Sequence, residues 1–319
     1  MRLLTVTDGR RGIFNQAAGL AEAIQREYSR DSILTHYPLA HSRNFAALPP
    51  KLQRLAPHKL RLPDADLIIG CGRQAIAPLI EARRSSTGPF TVYIQDPRLN
   101  PSNFDLVVMP EHDVRTTQDT SNIEPMIGSP NRVTRDFIVM ETSAHTEQLS
   151  ELPMPRAMIS IGGPSKRHKL TAENQFQHLA AAKALLEQGY SLLITTSRRT
   201  PESVTKIWED LAADHAQIWL HTPESEDENP YFAFLGGADI ILVTEDSTNM
   251  LTEACATGKP VFRLPMDGKA GKFEALYSAL EAHCHVTLWA GQTSGPAYEP
   301  LNETQRIANR VIALFEAQS

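Results

Sequence analysis

The sequence predicts an α/β protein made of two Rossmann-like domains. Short, nearly uncharged, β-branched runs recur along the chain, and most are followed by a polar or glycine-bearing turn and a helical pattern. The series breaks in a polar, proline-bearing stretch at residues 144–155 and then starts again. The length of 319 residues also exceeds what one hydrophobic core usually serves. We therefore predict an N-terminal domain over residues 1–150 and a C-terminal domain over residues 151–319.

The first domain opens with a strand at residues 3–7, a turn at residues 8–12 and a helix at residues 15–27. This is how a doubly wound domain begins. The turn lacks the third glycine of a dinucleotide fingerprint, which argues against NAD binding. Gly9 and Gly12 would still let the backbone approach a ligand closely.

Later strands of this domain, predicted at residues 66–70, 91–95 and 104–109, also end in polar or ionisable residues. With the end of the first strand, these residues are Asp8, Arg73, Asp96, Arg98, Glu111, His112 and Asp113. Because the carboxyl ends of parallel strands lie on one edge of a sheet, we expect the group to converge on one cleft. Each residue alone has a second interpretation as a solvent-exposed loop residue. For Asp8, that alternative is a helix cap or a partner of Arg10 or Arg11.

A stretch at residues 42–61 mixes apolar residues with Lys51, Arg54, Lys59 and Arg61. Such a mixture is compatible with contact to an anionic membrane surface. The alternative is an ordinary surface helix whose basic side chains extend along it. The sequence leaves both interpretations open.

Anion-binding residues concentrate in the turns of the second domain. A glycine turn follows the strand at residues 157–161, and a second polar turn follows the strand at residues 191–196. Together with a helix start further on, these turns supply Gly162, Gly163, Ser165, Lys166, Ser197, Arg198, Arg199 and Ser247. Backbone amides, hydroxyls and guanidinium groups of this kind bind diphosphates. An arginine pair at a strand end has solvent exposure as its alternative.

The most informative stretch is residues 229–261. A buried strand at residues 239–244 runs into Glu245, Asp246 and Ser247, and either of the last two is a suitable N-cap for a helix at residues 248–256. Seven residues separate Glu245 from Glu253. A solvated helix face is the alternative position for Glu253. A strand end that leads into a helix N-terminus is a site where α/β proteins hold phosphate groups.

Composition excludes several classes of protein. The three cysteines are widely spaced, which fits a reducing cytoplasm and argues against a disulfide framework or a zinc cluster. Residues 1–153 contain 17 basic and 17 acidic residues, and residues 154–319 contain 14 and 20, so the net charge of -6 lies in the second half. This balance argues against nucleic-acid binding. No apolar run approaches the roughly 20 residues that cross a bilayer. We expect a cytoplasmic protein, with peripheral contact to the inner membrane as the alternative.

Six segments together resemble the mitochondrial fission protein family. In chain order they are TDGRRGIFNQAAGLAEAI, ADLIIGCGRQ, QDPRLNPSNFDLVVMPEHD, ISIGGPSKRHKL, LITTSRRTPE and NPYFAFLGGADIILVTEDSTNMLTEACATGKPV. The resemblance covers nearly the whole chain. It implies two facing Rossmann-like domains, as in nucleotide-sugar glycosyltransferases of the GT-B type. It also implies that a C-terminal helix at residues 302–317 crosses back onto the first domain.

The resemblance also assigns expected roles. In the wider glycosyltransferase class, the first domain binds the acceptor and the second binds the donor nucleotide. Asp8 is then the candidate base, with Glu111, His112 and Asp113 as rivals. The donor-side residues would be Gly163, Ser165, Lys166, Ser197, Arg198, Glu245, Asp246, Ser247 and Glu253. The Glu245 and Glu253 spacing resembles the paired glutamates of retaining enzymes, whereas a carboxylate base favours inversion, so the stereochemistry stays open.

The implied activity is a metal-independent glycosyltransferase. It would move a sugar from a nucleotide-sugar donor to a glycan or lipid-linked acceptor, such as a lipopolysaccharide core. No triad, Walker loop or metal-ligand spacing occurs, so we expect no metal and no cofactor beyond the nucleotide-sugar co-substrate. Two alternatives stay open, a nucleotide-sugar epimerase and a non-catalytic scaffold of the same fold.

Overall fold

The computed structural model describes residues 1–84, 88–115 and 121–318. The chain forms two compact units, one of Met1–Arg132 with Asn302–Ser319 and the other of Val133–Leu301. The division after Arg132 lies earlier than the boundary that the sequence predicts at residue 150. The reason is that the helix following Arg132 packs on the second unit.

The first unit contains a six-stranded, wholly parallel sheet. Its strands are β1 (Arg2–Thr7), β2 (Ile33–Pro38), β3 (Leu67–Cys71), β4 (Phe90–Ile94), β5 (Leu106–Pro110) and β6 (Ile123–Met126). They lie in the order β2-β1-β3-β4-β5-β6. Strands β3 and β4 are buried along their whole length, as expected for apolar runs covered on both faces.

The second unit contains another six-stranded parallel sheet and a small two-stranded sheet. Its strands are β7 (Arg156–Ile161), β8 (His168–Lys169), β9 (Ser191–Thr196), β10 (Ile218–His221), β11 (Ile240–Thr244), β12 (Val261–Leu264), β13 (Asp267–Gly268) and β14 (Thr287–Leu288). The large sheet has the order β10-β9-β7-β11-β12-β14. Strands β8 and β13 pair antiparallel, which the sequence did not predict.

Helices surround both sheets. In chain order they are α1 (Arg11–Tyr28), α2 (Arg43–Ala47), α3 (Pro50–Gln53), α4 (Ile76–Arg83), α5 (Arg135–Ala144), α6 (Thr146–Ser150), α7 (Ala172–Glu187), α8 (Glu202–Asp214), α9 (Tyr231–Gly237), α10 (Thr248–Cys255), α11 (Phe273–Cys284) and α12 (Glu303–Gln318). Helices α5 and α6 occupy much of the predicted linker, and α5 packs on α9. Across the described ranges, no helix combines the length and apolar character needed to cross a membrane.

The two ends of the first unit compare differently with the predictions from the sequence. Helix α1 begins at Arg11, so Gly12 lies in its first turn, and of the two predicted turn glycines Gly9 has a positive φ, of 76°. The C-terminal helix α12 packs on α1 and belongs to the first unit, which confirms the predicted crossover. Buried Ile307 and Val311 join the core of that unit. The backbone N–H of Asn131 donates to the Thr304 hydroxyl at 3.0 Å.

Each large sheet has one point where the strand order reverses. The chain enters the first sheet at β1, adds β2 on one side and then continues with β3 on the other. It enters the second sheet at β7, adds β9 and β10 on one side, and continues with β11 on the other. In open α/β sheets, the crevice at the carboxyl end of such a switch point is the usual ligand site. The β1/β3 and β7/β11 switch points are therefore where the candidate residues have to be assessed.

Candidate functional site

The β1/β3 switch point of the first unit opens into a cavity of about 290 Å³. Its lining residues are Asp8, Arg10, Ala46, Arg73 and Gln74. Asp8 follows β1, and Arg73 follows β3 through Gly72, which has a φ of 84°. Two of the residues that the sequence placed at strand ends, Asp8 and Arg73, therefore do lie together.

Asp8 has a partner in this cavity. Arg10 Nη2 lies 2.7 Å from Asp8 Oδ2, Arg10 Nε donates to the same oxygen at 2.9 Å, and the Arg10 backbone N–H donates to Oδ1 at 3.2 Å. The hydrogen bond from Arg10 to Asp8 raises the pKa of the guanidinium above its ordinary value. The Arg10 side chain is 66% exposed, whereas that of Asp8 is 7% exposed. Asp8 is thus held by a partner whose side chain has room to move.

Arg73 ties the cavity to the α2–α3 segment. Its Nη2 donates to the carbonyl of Ala47 at 2.9 Å and to that of Leu48 at 3.2 Å. These carbonyls lie at the C-terminus of α2, where a cation is favourable. Ala46 of the same helix lines the cavity. One wall of the cavity is therefore built from the stretch in which the sequence mixes leucines with basic residues.

The other predicted strand-end residues of the first unit do not line this cavity. Glu111, His112 and Asp113 form a 3-10 helix after β5, and β5 is three strand positions from β1, roughly 14 Å at the usual strand spacing. Asp96 accepts from the Arg98 backbone N–H at 2.8 Å and so closes its own turn. The cavity therefore gathers Asp8 and Arg73 but not Asp96, Glu111, His112 or Asp113, because the strands that precede these four residues lie two or three positions from β1 in the sheet.

Gln95, at the end of β4, is a feature that the sequence did not reveal. Its φ of 89° is rare for a residue other than glycine, and such strain clusters at functional sites. The Gln95 side chain donates to Gln16 Oε1 at 3.1 Å. No composition or spacing signal marks this backbone conformation in advance.

At the β7/β11 switch point of the second unit, the protein's own side chains fill the space. In the parallel register, Ile161 is aligned with Thr196 and Ser160 with Val243, so the three following loops leave the sheet side by side. Asp246 lies between them with a fully buried side chain. These loops contain most of the residues that the sequence assigned to donor binding.

Asp246 links all three loops. Its Oδ2 accepts from Arg199 Nη2 at 2.5 Å and from the Gly163 backbone N–H at 3.2 Å. Its Oδ1 accepts from the Thr244 hydroxyl at 2.7 Å. The predicted donor-side role of Asp246 is therefore not what this geometry favours, because the carboxylate is buried on internal partners.

Close packing explains why residues 162 and 163 are glycines. A Cβ on Gly162 would overlap the Asp246 carboxylate, and a Cβ on Gly163 would overlap the backbone of Arg199. The Gly162 N–H donates to the Thr244 hydroxyl at 2.7 Å. The two amides that the sequence offered to a phosphate are therefore already bonded within the protein.

Ser197 closes the loop that follows β9. Its hydroxyl lies 3.2 Å from Thr200 Oγ1 and accepts from the Arg199 N–H at 3.2 Å. The Thr200 hydroxyl in turn donates to the Gly162 carbonyl at 2.6 Å. The two arginines of this loop thus differ in role, because Arg199 binds Asp246 while exposed Arg198 makes no hydrogen bond or ion pair with any described residue.

The N-terminus of α10 is the part of this edge that is left open. Ser247 is its N-cap residue, and the Ser247 side chain makes no capping hydrogen bond. The N-terminus of a helix also carries a partial positive charge, which favours an anion. In β9, two strand positions from β11, Thr196 Oγ1 is buried without a hydrogen-bond partner among the described residues. Ser247 and Arg198 are therefore the predicted donor-side residues that the structure leaves available.

Glu245 and Glu253 are both engaged within the protein. Glu245 pairs with Arg263 at 2.6 Å and accepts from the Met266 N–H at 3.0 Å. Glu253 lies on the buried face of α10, where the Tyr231 hydroxyl donates to it at 2.7 Å. Burial raises the pKa of Glu253 to about 7, although the hydrogen bond from Tyr231 acts in the opposite direction. Neither the predicted donor contact nor the solvated helix face describes Glu253.

Ser165 and Lys166 lie in the turn before β8, which pairs with β13. The Ser165 hydroxyl accepts from the backbone N–H groups of Arg167 and His168, at 3.2 and 3.0 Å. Lys166 is exposed and forms no hydrogen bond or ion pair in the described parts of the chain. Within those same parts, no group of three or more His, Cys, Asp or Glu residues is arranged to hold a metal ion. The available cations at this end are thus Lys166 and Arg198.

The sequence model described as Mitochondrial fission ELM1 matches residues 11–315. The chain belongs to this family. The plant member, mitochondrial fission protein ELM1 of Arabidopsis thaliana, is 28% identical over 77% of this chain and 62% of its own length. The chain thus spans less than two thirds of that relative. An uncharacterized protein of Rickettsia prowazekii (strain Madrid E) is 23% identical over 97% of both chains.

Solved structures show which fold this ELM1-family chain has. A putative UDP-N-acetylglucosamine 2-epimerase from Listeria monocytogenes matches with a TM-score of 0.66 and 13% identity, over 99% of this chain and 96% of that chain. The ADP-heptose lipopolysaccharide heptosyltransferase II of E. coli matches with a TM-score of 0.53 and 15% identity, over 100% of this chain and 99% of that chain. At these identities the likeness shows the fold alone. The predicted GT-B-like, two-Rossmann-domain class is confirmed.

Proposed function

We propose that this ELM1-family chain is a metal-independent glycosyltransferase. It moves a sugar from a nucleotide-sugar donor to a glycan or lipid-linked acceptor, for which a lipopolysaccharide core is one candidate. The observation that carries the proposal is the N-terminus of α10 at the β7/β11 switch point, where Ser247 makes no side-chain capping hydrogen bond, together with exposed Arg198 in the loop after β9 of the same sheet. The names of the structural neighbours, which act on UDP- and ADP-linked sugars, support the same substrate class.

On the donor side, the diphosphate binds Ser247 and the first N–H groups of α10. Arg198 and Lys166 neutralise the charge that develops on the leaving phosphate. Asp246 acts indirectly, because its bonds to Arg199 and Gly163 fix the loops that present these groups. Glu245 fixes the adjoining loop through Arg263.

On the acceptor side, Asp8 is the general base. The acceptor oxygen forms the new bond to the anomeric carbon as the bond from that carbon to the phosphate oxygen breaks. The acceptor proton passes to Asp8, and the nucleoside diphosphate leaves with the electron pair. Asp8 becomes available when the exposed side chain of Arg10 moves aside. Glu111, His112 and Asp113 are less favoured as the base because they lie outside the cavity that Asp8 lines.

Donor binding is tested by thermal shift with UDP, UDP-N-acetylglucosamine and ADP-heptose as separate probes. A bound ligand at a hundred times its Kd adds about 2.7 kcal/mol of stability, which is a readily measured rise in Tm. We expect at least one probe to raise the Tm and Ser247→Ala and Arg198→Ala to reduce the rise. Lys206→Ala is the matched control, because Lys206 is an exposed cation of α8 that pairs with Asp210. A wild-type protein whose Tm none of the probes changes would contradict the proposal.

The reaction class is tested on the probe that binds. Asp8→Asn should keep the donor-induced Tm shift and lose transfer to an acceptor. An Asp8→Asn variant that transfers at the wild-type rate would remove Asp8 from its role. Incubation with the donor alone, followed by NMR, should leave the sugar configuration unchanged, whereas an epimeric product would assign the chain to the epimerases.

A further inference from the structure

A surface of the first unit, here called the α2–α3 surface and comprising residues 43–61, has an unusual charge distribution. Between Asp31 and Asp64 the sequence contains no acidic residue. The same interval contains five cations, which are Arg43, Lys51, Arg54, Lys59 and Arg61. In a chain whose net charge is -6, this is a local basic region.

The burial of this surface is the reverse of an ordinary amphipathic segment. Leu48, Leu52 and Leu55 are 38%, 49% and 81% exposed, while Gln53 is 2% exposed. The Gln53 amide donates to the carbonyls of Phe45 and Leu48, at 3.0 and 3.1 Å. A polar side chain therefore holds the segment together from inside, and the leucines face solvent.

The exposed leucines are displayed on an ordered base. Phe45 and Leu60 are buried against Ala77 of α4. Ser42 caps α2 through a hydrogen bond from the Phe45 N–H, and Arg73 holds its C-terminal carbonyls. The segment that carries the exposed leucines is thus held in place at both of its ends.

The cations surround these leucines. Arg43, Lys51, Lys59 and Arg61 are exposed, and the Lys59 ammonium lies 5.3 Å from the centre of the Phe45 ring. Arg54 is partly covered and lies 3.9 Å from Glu81. Exposed leucines flanked by long basic side chains match the boundary between anionic headgroups and acyl chains.

We propose that the α2–α3 surface docks the protein on an anionic lipid surface. The leucines insert among the acyl chains, and the cations contact the headgroups. A second copy of this chain fits poorly, because a self-complementary contact would bring two basic regions together. The surface also presents no exposed Trp or Tyr, the usual anchors of a protein interface.

The docking surface adjoins the cavity of Asp8. Ala46 of α2 lines that cavity, and Arg73 joins the cavity wall to the Ala47 and Leu48 carbonyls. This step rests on the proposed glycosyltransferase function. If Asp8 is the base of that reaction, the docking surface makes the acceptor a lipid-linked molecule. A lipid-anchored acceptor would then meet Asp8 from the surface to which the protein is bound.

Co-sedimentation with lipid vesicles tests the docking. The full chain should sediment with phosphatidylcholine vesicles that contain phosphatidylglycerol, less with phosphatidylcholine alone, and less as salt is raised. The double variant Leu52→Gln/Leu55→Gln should weaken the partitioning at least about tenfold, because it removes inserted apolar area. Lys51→Gln/Lys59→Gln should weaken it by about fivefold per lysine at low salt.

The matched control is Val139→Gln/Met140→Gln on α5 of the second unit. These side chains are 58% and 56% exposed, so the change is the same in kind but lies off the surface. We expect this control to sediment like the wild type. Equal Tm values for the leucine variant and the wild type establish that it is folded.

Three results would overturn the docking proposal. The first is a wild-type protein that does not sediment with anionic vesicles, and the second is a leucine variant that sediments as well as the wild type. The third is a leucine variant that binds lipid normally but has a different oligomeric state in analytical ultracentrifugation. Failure of the proposed function is read separately, from the nucleotide-sugar Tm shift, which involves none of these leucines. If docking and donor binding both hold, the leucine variant should lose transfer to a lipid-linked acceptor in vesicles and keep the donor-induced Tm shift.

Discussion

Asp8 and Asp246 follow strands at the switch points of their sheets, and each binds an arginine. Their surroundings differ. Asp246 also accepts from the Gly163 N–H and the Thr244 hydroxyl and is fully buried, so that it holds three loops together. Asp8 has Arg10 as its side-chain partner and borders a cavity. The difference between the two carboxylates is therefore the origin of their donors, because those of Asp8 belong to one exposed residue and those of Asp246 belong to three separate residues.

The residues at the switch-point edges of the two sheets therefore differ in their roles. In the second unit, the buried Asp246 carboxylate holds the loops together, and the open groups are Ser247 and the exposed cations Lys166 and Arg198. In the first unit, the Asp8 side chain is 7% exposed but borders the cavity, and its partner is the exposed side chain of Arg10. Changes at the second edge should thus affect stability first, and changes at Asp8 should affect activity first.

Asp246→Ala should give the largest loss of stability. It leaves Arg199, the Gly163 N–H and the Thr244 hydroxyl without their acceptor. The Arg199 side chain is 45% exposed, so most of the loss comes from the two buried donors, each of which costs about 1–3 kcal/mol when it is left without an acceptor. Urea denaturation followed by circular dichroism measures this loss, and Asp246→Asn, which keeps the shape and one acceptor oxygen, should recover part of it. A loss below about 1 kcal/mol for the alanine variant would contradict a structural role.

Glu253 should make stability depend on pH. Burial raises its pKa from 4.5 to about 7, so the folded state favours the protonated acid, and a difference of that size corresponds to about 3 kcal/mol. Between pH 4.5 and 7 the folded protein binds more protons than the unfolded chain, so its contribution to stability falls as pH rises through this window.

Denaturation at several pH values measures the effect of Glu253, with Glu253→Gln as the reference. The glutamine keeps an oxygen for the Tyr231 hydroxyl and cannot ionise. The stability difference between variant and wild type should therefore widen from pH 5 to pH 8 in favour of the variant. A difference that is constant with pH would show that Glu253 has an ordinary pKa.

Two glycines sharpen the comparison between the edges. A Cβ on Gly163 would overlap the Arg199 backbone, so Gly163→Ala should cost about 2–3 kcal/mol through overpacking. A Cβ on Gly9 would meet no atom within 4 Å, and its φ of 76° should cost Gly9→Ala about 1 kcal/mol. Thermal unfolding of both variants measures which one loses more stability. A larger loss for Gly9→Ala would contradict the conclusion that the edge of the second sheet is the more tightly packed one.

Asp8→Ala should have the smallest effect on stability. Its side-chain partner, Arg10, is 66% exposed, and pairs with such an exposed partner contribute less than about 1 kcal/mol. Urea denaturation should therefore give a near wild-type midpoint, although transfer is lost. A midpoint change as large as that of Asp246→Ala would mean that Asp8, too, is a structural residue.

The strands and their polar ends could be predicted from the sequence because they depend on local pattern. The apolar run at β11 and the N-cap position of Ser247 are examples. The β8–β13 pair was missed because each strand has two residues and Lys169 pairs with the distant Asp267. The roles of Asp246 and Glu253 depend on Arg199 and Tyr231, which only tertiary packing brings to them.

The most direct test of the account is a crystal structure of the protein soaked with the nucleotide sugar that gives the largest Tm shift. We expect diphosphate oxygens about 3 Å from the Ser247 hydroxyl and the first N–H groups of α10, with Asp246 still bonded to Arg199 and Gly163. A nucleotide bound away from α10, or a diphosphate that takes the place of the Asp246 carboxylate, would contradict the account.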